Sequence, residues 1–329
     1  MNIRYQSKVM LRHLANNTLG RMHYRRKPGK PNILVFSNRR GGSTWLIELL
    51  SAEKNTKRVV EIFDTVLNAN PYRRKLPEPV DGFFVDLDQS GKEKLFSYFR
   101  DIESGRKVFN TQWKFWKEPF NFRYDRVIFK IFYAKNYIRE LRQLSNSQVI
   151  FQMRHPIPTA MSILKNEWPS AARGFVHSPG FRARLDARQV AVVEEIVNKG
   201  TDLERHVAGW FLENFIPMSL APGEDWLVLR YEDMVMQREE TIELLARELD
   251  LECAEAALER YRKPSYNAFD SEEKIRRASP EELCNGWKDG FDWKAHPRLP
   301  ELFSAFPNPW YDIRGTLSLE EPLAVNAAG

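Results

Sequence analysis

The sequence predicts an α/β fold, a three-layer arrangement in which a parallel β-sheet is flanked by helices. Three observations predict it: short apolar runs bounded by turn residues, segments of helical length between those runs, and charged residues at the runs' carboxyl ends. Such alternation builds βαβ units, whose ligands sit beyond the carboxyl ends of the strands. With 329 residues, 43% hydrophobic and 29% charged, the chain has the make-up of a globular protein with a large core.

The elements follow in order. Residues 1–31 form a basic arm that closes on Lys-Pro-Gly-Lys-Pro, a linker into a single domain over 32–315, with a tail at 316–329. Ile33–Ser37 reads as the first strand. A helix runs from Thr44 to Ser51 with Trp45, Leu46, Leu49 and Leu50 on its apolar side. Val127–Tyr133 is the second strand, followed by a charged helix to about Leu144. Gln148–Met153 is the third, and Pro156 leads into the next helix. Trp226–Leu229 is the fourth. The 165–215 segment reads as helical and longer than a crossover needs, a lid or an acceptor-binding insertion.

The net charge of +6 favours an anionic partner. No nucleic-acid recognition motif accompanies it, so nucleic acid is not expected. The basic arm reads either as a solvated segment or as a weak contact with an acidic membrane surface. Cys253 and Cys284 lack metal-ligand spacing and form no disulfide framework, which suggests a reducing compartment. His23, His177 and His206 are scattered without metal spacing, so no metal is expected. No run reaches the ~20 apolar residues of a membrane helix, and the expectation is a cytoplasmic protein.

Residues 33–50, ILVFSNRRGGSTWLIELL, carry the chemistry. A strand, a glycine turn and a helix start together aim backbone N–H groups and the helix dipole at an anion. Gly41 and Gly42 allow close approach, Ser43 and Thr44 supply hydroxyls and helix caps, and Arg40 adds a permanent charge. The turn has Gly42 where a nucleotide triphosphatase loop carries lysine, which disfavours a kinase.

Arg40-Gly41-Gly42-Ser43-Thr44-Trp45 resembles the 5′-phosphosulfate loop of sulfotransferases that use 3′-phosphoadenosine 5′-phosphosulfate (PAPS). VIFQMRHPIPTAMS at 149–162 is similar to that family's strand–Arg-Asp-Pro–helix, with Ser162 eight residues after Arg154 and His155 in place of the aspartate. LRYEDMV at 229–235, which includes Tyr231, is similar to a third family segment. The resemblance spans roughly residues 32–295 and implies a P-loop-like sulfotransferase architecture. It implies PAPS as donor, adenosine 3′,5′-bisphosphate as product and no metal. It assigns Arg40, Gly41, Gly42, Ser43 and Thr44 to the phosphosulfate, Trp45 to the adenine, and Arg154 and Ser162 to the 3′-phosphate. The resemblance adds Tyr231 to the nucleotide-binding set and implies that Arg276 and Arg277 close over the 3′-phosphate. Lys130, alone in VIFKIFY, matches a lysine of many family members, and the resemblance implies that it steadies the sulfate or the leaving oxygen, with Arg40 assisting. Phe132 stands where the cytosolic members have their histidine base. Glu61, 21 residues after Arg40, matches the glutamate of the carbohydrate and tyrosyl-protein members and is the candidate base. The acceptor is expected to be a small molecule, a glycoside or a lipid. Phe63, Phe84, Trp113, Phe115 and Trp116 either shape its pocket or fill the core. A catalytically inactive nucleotide-binding protein of the same fold is the alternative.

Overall fold

The computed structural model describes residues 29–53, 55–65, 70, 72–107, 123–124, 126–252 and 278–316, with Ser7, Leu11 and Arg25–Arg26. Five parallel strands form the central sheet: β1 (Asn32–Ser37), β2 (Thr56–Val60), β3 (Arg126–Ile131), β4 (Ser147–Met153) and β5 (Leu227–Arg230). They lie in the order β2-β3-β1-β4-β5. β1 is central and buried throughout, which explains why it reads as a continuous apolar run.

Successive residues serve opposite faces of the sheet. Leu34 and Phe36 enter one core with Phe129, Ile131, Phe151 and Met153. Ile33 and Val35 enter the other with Ile128, Ile150 and Leu229. Helix α1 (Ser43–Leu50) covers the second face through Leu46, Ile47, Leu49 and Leu50. The first face is covered by α2 (Gln89–Glu103), α3 (Ile138–Gln143) and the helices after β4. Those are α4 (Pro156–Leu164), α5 (Ala172–His177), α6 (Pro179–Arg182), α7 (Ala187–Lys199) and α8 (Asp202–Leu220). The three layers expected from the sequence are therefore present. Beyond β5 come α9 (Tyr231–Met236), α10 (Arg238–Leu249), α11 (Pro280–Asn285), α12 (Leu299–Ala305) and a short antiparallel pair, Tyr311–Asp312 with Gly315–Thr316.

The strand order sets where a ligand can sit. From β1 the chain passes β3 to reach the edge strand β2, whereas from β3 it crosses β1 to reach β4. The chain leaves these neighbours in opposite directions, which opens a crevice at their carboxyl ends.

Two strand expectations need correction, and other readings gain detail or fall outside the described residues. β2 adds a fifth strand to the four read from sequence. β3 stops at Ile131, so Phe132 and Tyr133 lie beyond it. Phe63 and Phe84 are core residues, each 1% exposed. The helices of the 165–215 segment contribute Phe175, Phe181, Ile196 and Phe211 to the core beneath the sheet. Trp113, Phe115, Trp116, His23, Cys253, Arg276, Arg277, most of the basic arm and the tail after 316 lie outside the described residues. Among the described residues no helix is long and apolar enough to cross a membrane.

Phe129 is fully buried on β3 and meets Phe99 of α2 edge-to-face at 5.6 Å. Phe129→Ala should cost about 3–5 kcal/mol, read from urea unfolding. A loss below about 1 kcal/mol, the scale of surface changes, would contradict its central placement.

Candidate anion-binding site

After Ser37 the chain turns through Asn38 to Gly42 and enters α1. Arg40 at φ 62 and Gly42 at φ 89 both adopt left-handed backbone. A Cβ at Gly42 would stand 2.5 Å from Tyr231 Cδ2, so sterics and φ both demand glycine there. Beneath the turn lies Gln152 of β4, fully buried and in register with Ser37. Its Nε2 donates to Gly41 O at 2.6 Å, and its Oε1 accepts from Ser37 Oγ at 2.9 Å. The Gly41 carbonyl is thus held toward the sheet.

α1 has no side-chain cap. Its first internal bonds run from Trp45 and Leu46 N–H to Gly42 O, at 3.0 and 3.3 Å. The N–H groups of Ser43 and Thr44 precede those bonds, at the positive end of the helix dipole. The expected capping by Ser43 and Thr44 is not observed. Gly42 takes the N-cap position, Ser43 is the first helical residue, and Thr44 Oγ1 instead accepts from Lys130.

Lys130 projects from the α1 face of β3, between Val35 and Val60 of the flanking strands. A buried ammonium must be paired. Its Nζ donates to Thr44 Oγ1 at 2.9 Å and to Glu61 Oε1 at 3.2 Å, and lies 4.6 Å from the Phe132 ring centroid. Burial lowers the Lys130 pKa; Glu61 opposes that shift and the Arg40 charge adds to it. Glu61 itself has φ 57 and donates its N–H to Lys130 O at 3.0 Å. Its side chain remains 23% exposed, within reach of a small molecule.

Arg40 Nε donates to Ser162 Oγ of α4 at 2.9 Å. Burial, then the charge of Arg154, lowers the Arg40 pKa. The Arg154 guanidinium lies 4.5 Å from the centroid of the Tyr231 ring, which also meets Trp45 edge-on at 6.3 Å. Lys130, Arg40 and Arg154 thus form a row of cations from the carboxyl ends of three adjacent strands, β3, β1 and β4. The charge of Arg40 acts on Lys130, and that of Arg154 on Arg40.

Behind Arg154, His155 does the work of a capping carboxylate without the charge. Its Nδ1 accepts from Ile157 N–H at 3.3 Å, and its Nε2 bonds the Asp312 carbonyl at 2.9 Å. The ring stacks on Trp287 at 4.9 Å. Glu232 accepts from His155 N–H and from the Tyr311 hydroxyl, both at 2.9 Å, and burial raises its pKa. Arg230 and Asp233 form a forked pair at 2.5 and 2.7 Å.

Sequence reasoning missed Gln152 and a second polar group beside the turn. Lys135 Nζ donates to Glu213 Oε2 at 3.2 Å and to Asn214 Oδ1 at 3.0 Å, and Asn38 Nδ2 donates to Glu213 Oε2 at 3.1 Å. The signal was present, since Gln152 is the lone polar residue within an otherwise apolar buried run.

Burial depresses His155 to a pKa of about 3 and His206 to about 4, against 6.5 for the free side chain. The unfolded chain therefore takes up these protons first as pH falls. The stability they contribute is present above pH 6.5 and is lost progressively toward about 3. His155→Asn, which keeps a capping acceptor but cannot titrate, should flatten the acid limb of a plot of urea midpoint against pH. An unchanged slope would count against His155 being held neutral.

No protein-family model matches the chain, and no curated protein matches it. Among solved structures, a sulfotransferase domain from the curacin biosynthetic pathway is 16% identical, at a TM-score of 0.40 over 92% of this chain and 95% of that one. A sulfotransferase from Alicyclobacillus acidocaldarius is 13% identical, with a TM-score of 0.36 over 85% of this chain and 97% of that one. Mouse SULT7A1 complexed with PAP is 14% identical, with a TM-score of 0.41 over 89% and 90%.

Proposed function

We propose that this chain is a sulfotransferase that moves a sulfuryl group from PAPS to a hydroxyl or amine of a small-molecule, glycoside or lipid acceptor. The observation that carries the reading is the row of Lys130, Arg40 and Arg154 across three adjacent strand ends, beside an uncapped helix start. A single anion needs only one end of such a row. A nucleotide carrying charge at both its 5′ and 3′ positions uses the whole of it.

In this reading the Ser43 and Thr44 N–H groups and Lys130 hold the 5′-phosphosulfate. Arg154, Ser162 and Arg40 hold the 3′-phosphate, with Arg40 between the two positions. Tyr231 and Trp45 present ring surface to the nucleoside. The acceptor oxygen attacks sulfur in line, the sulfur–oxygen bond to the 5′-phosphate breaks, and the acceptor proton passes to Glu61. Negative charge gathering on the departing phosphate oxygen meets the Lys130 ammonium and the α1 dipole. The positive field comes from the chain's own groups, so the reading invokes no metal.

The test begins with a thermal shift. Adenosine 3′,5′-bisphosphate at a hundredfold excess over its Kd should stabilise the protein by about 2.7 kcal/mol. Arg154→Ala should abolish that shift, and Mg·ATP should not reproduce it. A magnesium-dependent shift with ATP alone would replace the sulfotransferase reading with phosphoryl transfer. For catalysis, Glu61→Gln should retain the bisphosphate affinity while turnover, followed as product mass, falls by about 10²–10⁴-fold. Bisphosphate binding without transfer to any acceptor in a broad screen would leave a nucleotide-binding protein.

A further inference from the structure

Deepening that reading, and resting on it, we infer that the acceptor is itself anionic, and that Arg39 binds its carboxylate or comparable planar anion.

Arg39 precedes Arg40 in the turn but takes no part in the row of cations. Its guanidinium lies between two aromatic rings, 5.3 Å from the Phe83 centroid and 5.6 Å from that of Trp168. This packing fixes the plane of the fork. Its hydrogen bonding is sparse: one Nη donates to Pro169 O at 3.5 Å, and the buried Nε has no partner. The nearest carboxylate oxygen is Glu213 Oε1 at 4.0 Å. Glu213 already serves Lys135 and Asn38 through its other oxygen. Two cations therefore share one carboxylate. His206 adds no charge at neutral pH, because burial and the neighbouring Arg39 keep it neutral. The Arg39 fork keeps an unused donor in a half-dry setting, where a buried donor without a partner is costly. A planar anion would satisfy it.

The geometry also joins Arg39 to the reacting end. Phe83 meets Tyr133 edge-on at 5.1 Å, and the charges acting on the Tyr133 hydroxyl are those of Asp64, Arg39, Glu61 and Glu213. Tyr133 in turn meets Phe132 edge-on at 6.1 Å, and the Lys130 ammonium that binds Glu61 lies 4.6 Å from the Phe132 ring, so a chain of contacts links Arg39 to the proposed base. Phe83 and Tyr133 are buried, 2% and 9% exposed, whereas Trp168, 40% exposed, is the open ring beside the Arg39 guanidinium. An acceptor with its hydroxyl at Glu61 and an apolar or aromatic body against Trp168 places an anionic group at Arg39. The substrate class is a hydroxy acid with an apolar body.

The test uses the full chain saturated with adenosine 3′,5′-bisphosphate and two matched probes, 4-hydroxyphenylacetate and 4-hydroxyphenylacetamide, titrated by ligand-observed NMR. The carboxylate should bind at least tenfold more tightly than the amide. Arg39→Gln should erase that preference, and Arg39→Lys, a point charge without the fork, should reduce it severalfold. Bisphosphate affinity should stay within twofold of wild type in both variants, which excludes general misfolding. Equal affinity of the probes for the wild type, binding of neither, or a preference that survives in Arg39→Gln overturns the assignment. Should Arg39→Gln fail to fold, the wild-type comparison and Arg39→Lys decide by the same criteria. If the bisphosphate does not bind, the sulfotransferase reading fails separately. The same probe pair on the nucleotide-free chain then settles whether Arg39 is an anion subsite.

Discussion

Gln152 decides which way the turn after β1 faces, because its amide engages both the strand end and the carbonyl that could otherwise close the turn on itself. One end of the amide takes the Ser37 hydroxyl and the other donates to Gly41 O. With no solvent access, a mispaired amide here would cost on the order of 1–3 kcal/mol, so its orientation is not free. Turning the Gly41 carbonyl outward would set a partial negative charge beside the start of α1 and weaken it as an anion site. The direction of the α1 N–H groups therefore depends on a residue more than a hundred positions away in sequence.

The row of cations imposes a second constraint, because like charges side by side repel. The fold sustains it by giving each member a different neighbour. Lys130 has Glu61 and Thr44, Arg40 has Ser162, and Arg154 lies over Tyr231. Each cation stands at the end of a strand locked between two hydrophobic cores, so the row cannot relax by spreading apart. An anion arriving there meets a field whose reorganisation was completed on folding.

How legible these features were depends on whether they are local. β1 and β4 are buried on both faces and read as apolar runs between turns. β2 is an edge strand whose Thr56, Lys57 and Arg58 are only partly buried, so its composition looks like a loop. The second strand was read too long because Phe132 and Tyr133 continue an apolar pattern where the chain has already turned away. Lys130 stood out as a lone charge among Val, Ile and Phe. Gln152 offered the same signal and was not read. The Lys130–Glu61 and Arg40–Ser162 contacts join residues 69 and 122 positions apart, and only the strand order makes them neighbours. The histidine at 155 reads as a departure in sequence; the structure shows that a neutral imidazole can cap the helix as long as a distant carbonyl takes its other nitrogen.

That distant carbonyl has a consequence for how the protein is made. The amide that orients the Gly41 carbonyl is in place once Gln152 has emerged from the ribosome. The wall behind Arg154 waits for Tyr311 and Asp312, which secure Glu232 and His155. At roughly 5–20 residues per second the interval is on the order of ten seconds. During it a nascent chain holds the turn after β1 without the wall behind Arg154. Completion of the site is thereby deferred until Tyr311 and Asp312 have emerged, and a finished wall behind Arg154 becomes a report that this later segment has docked.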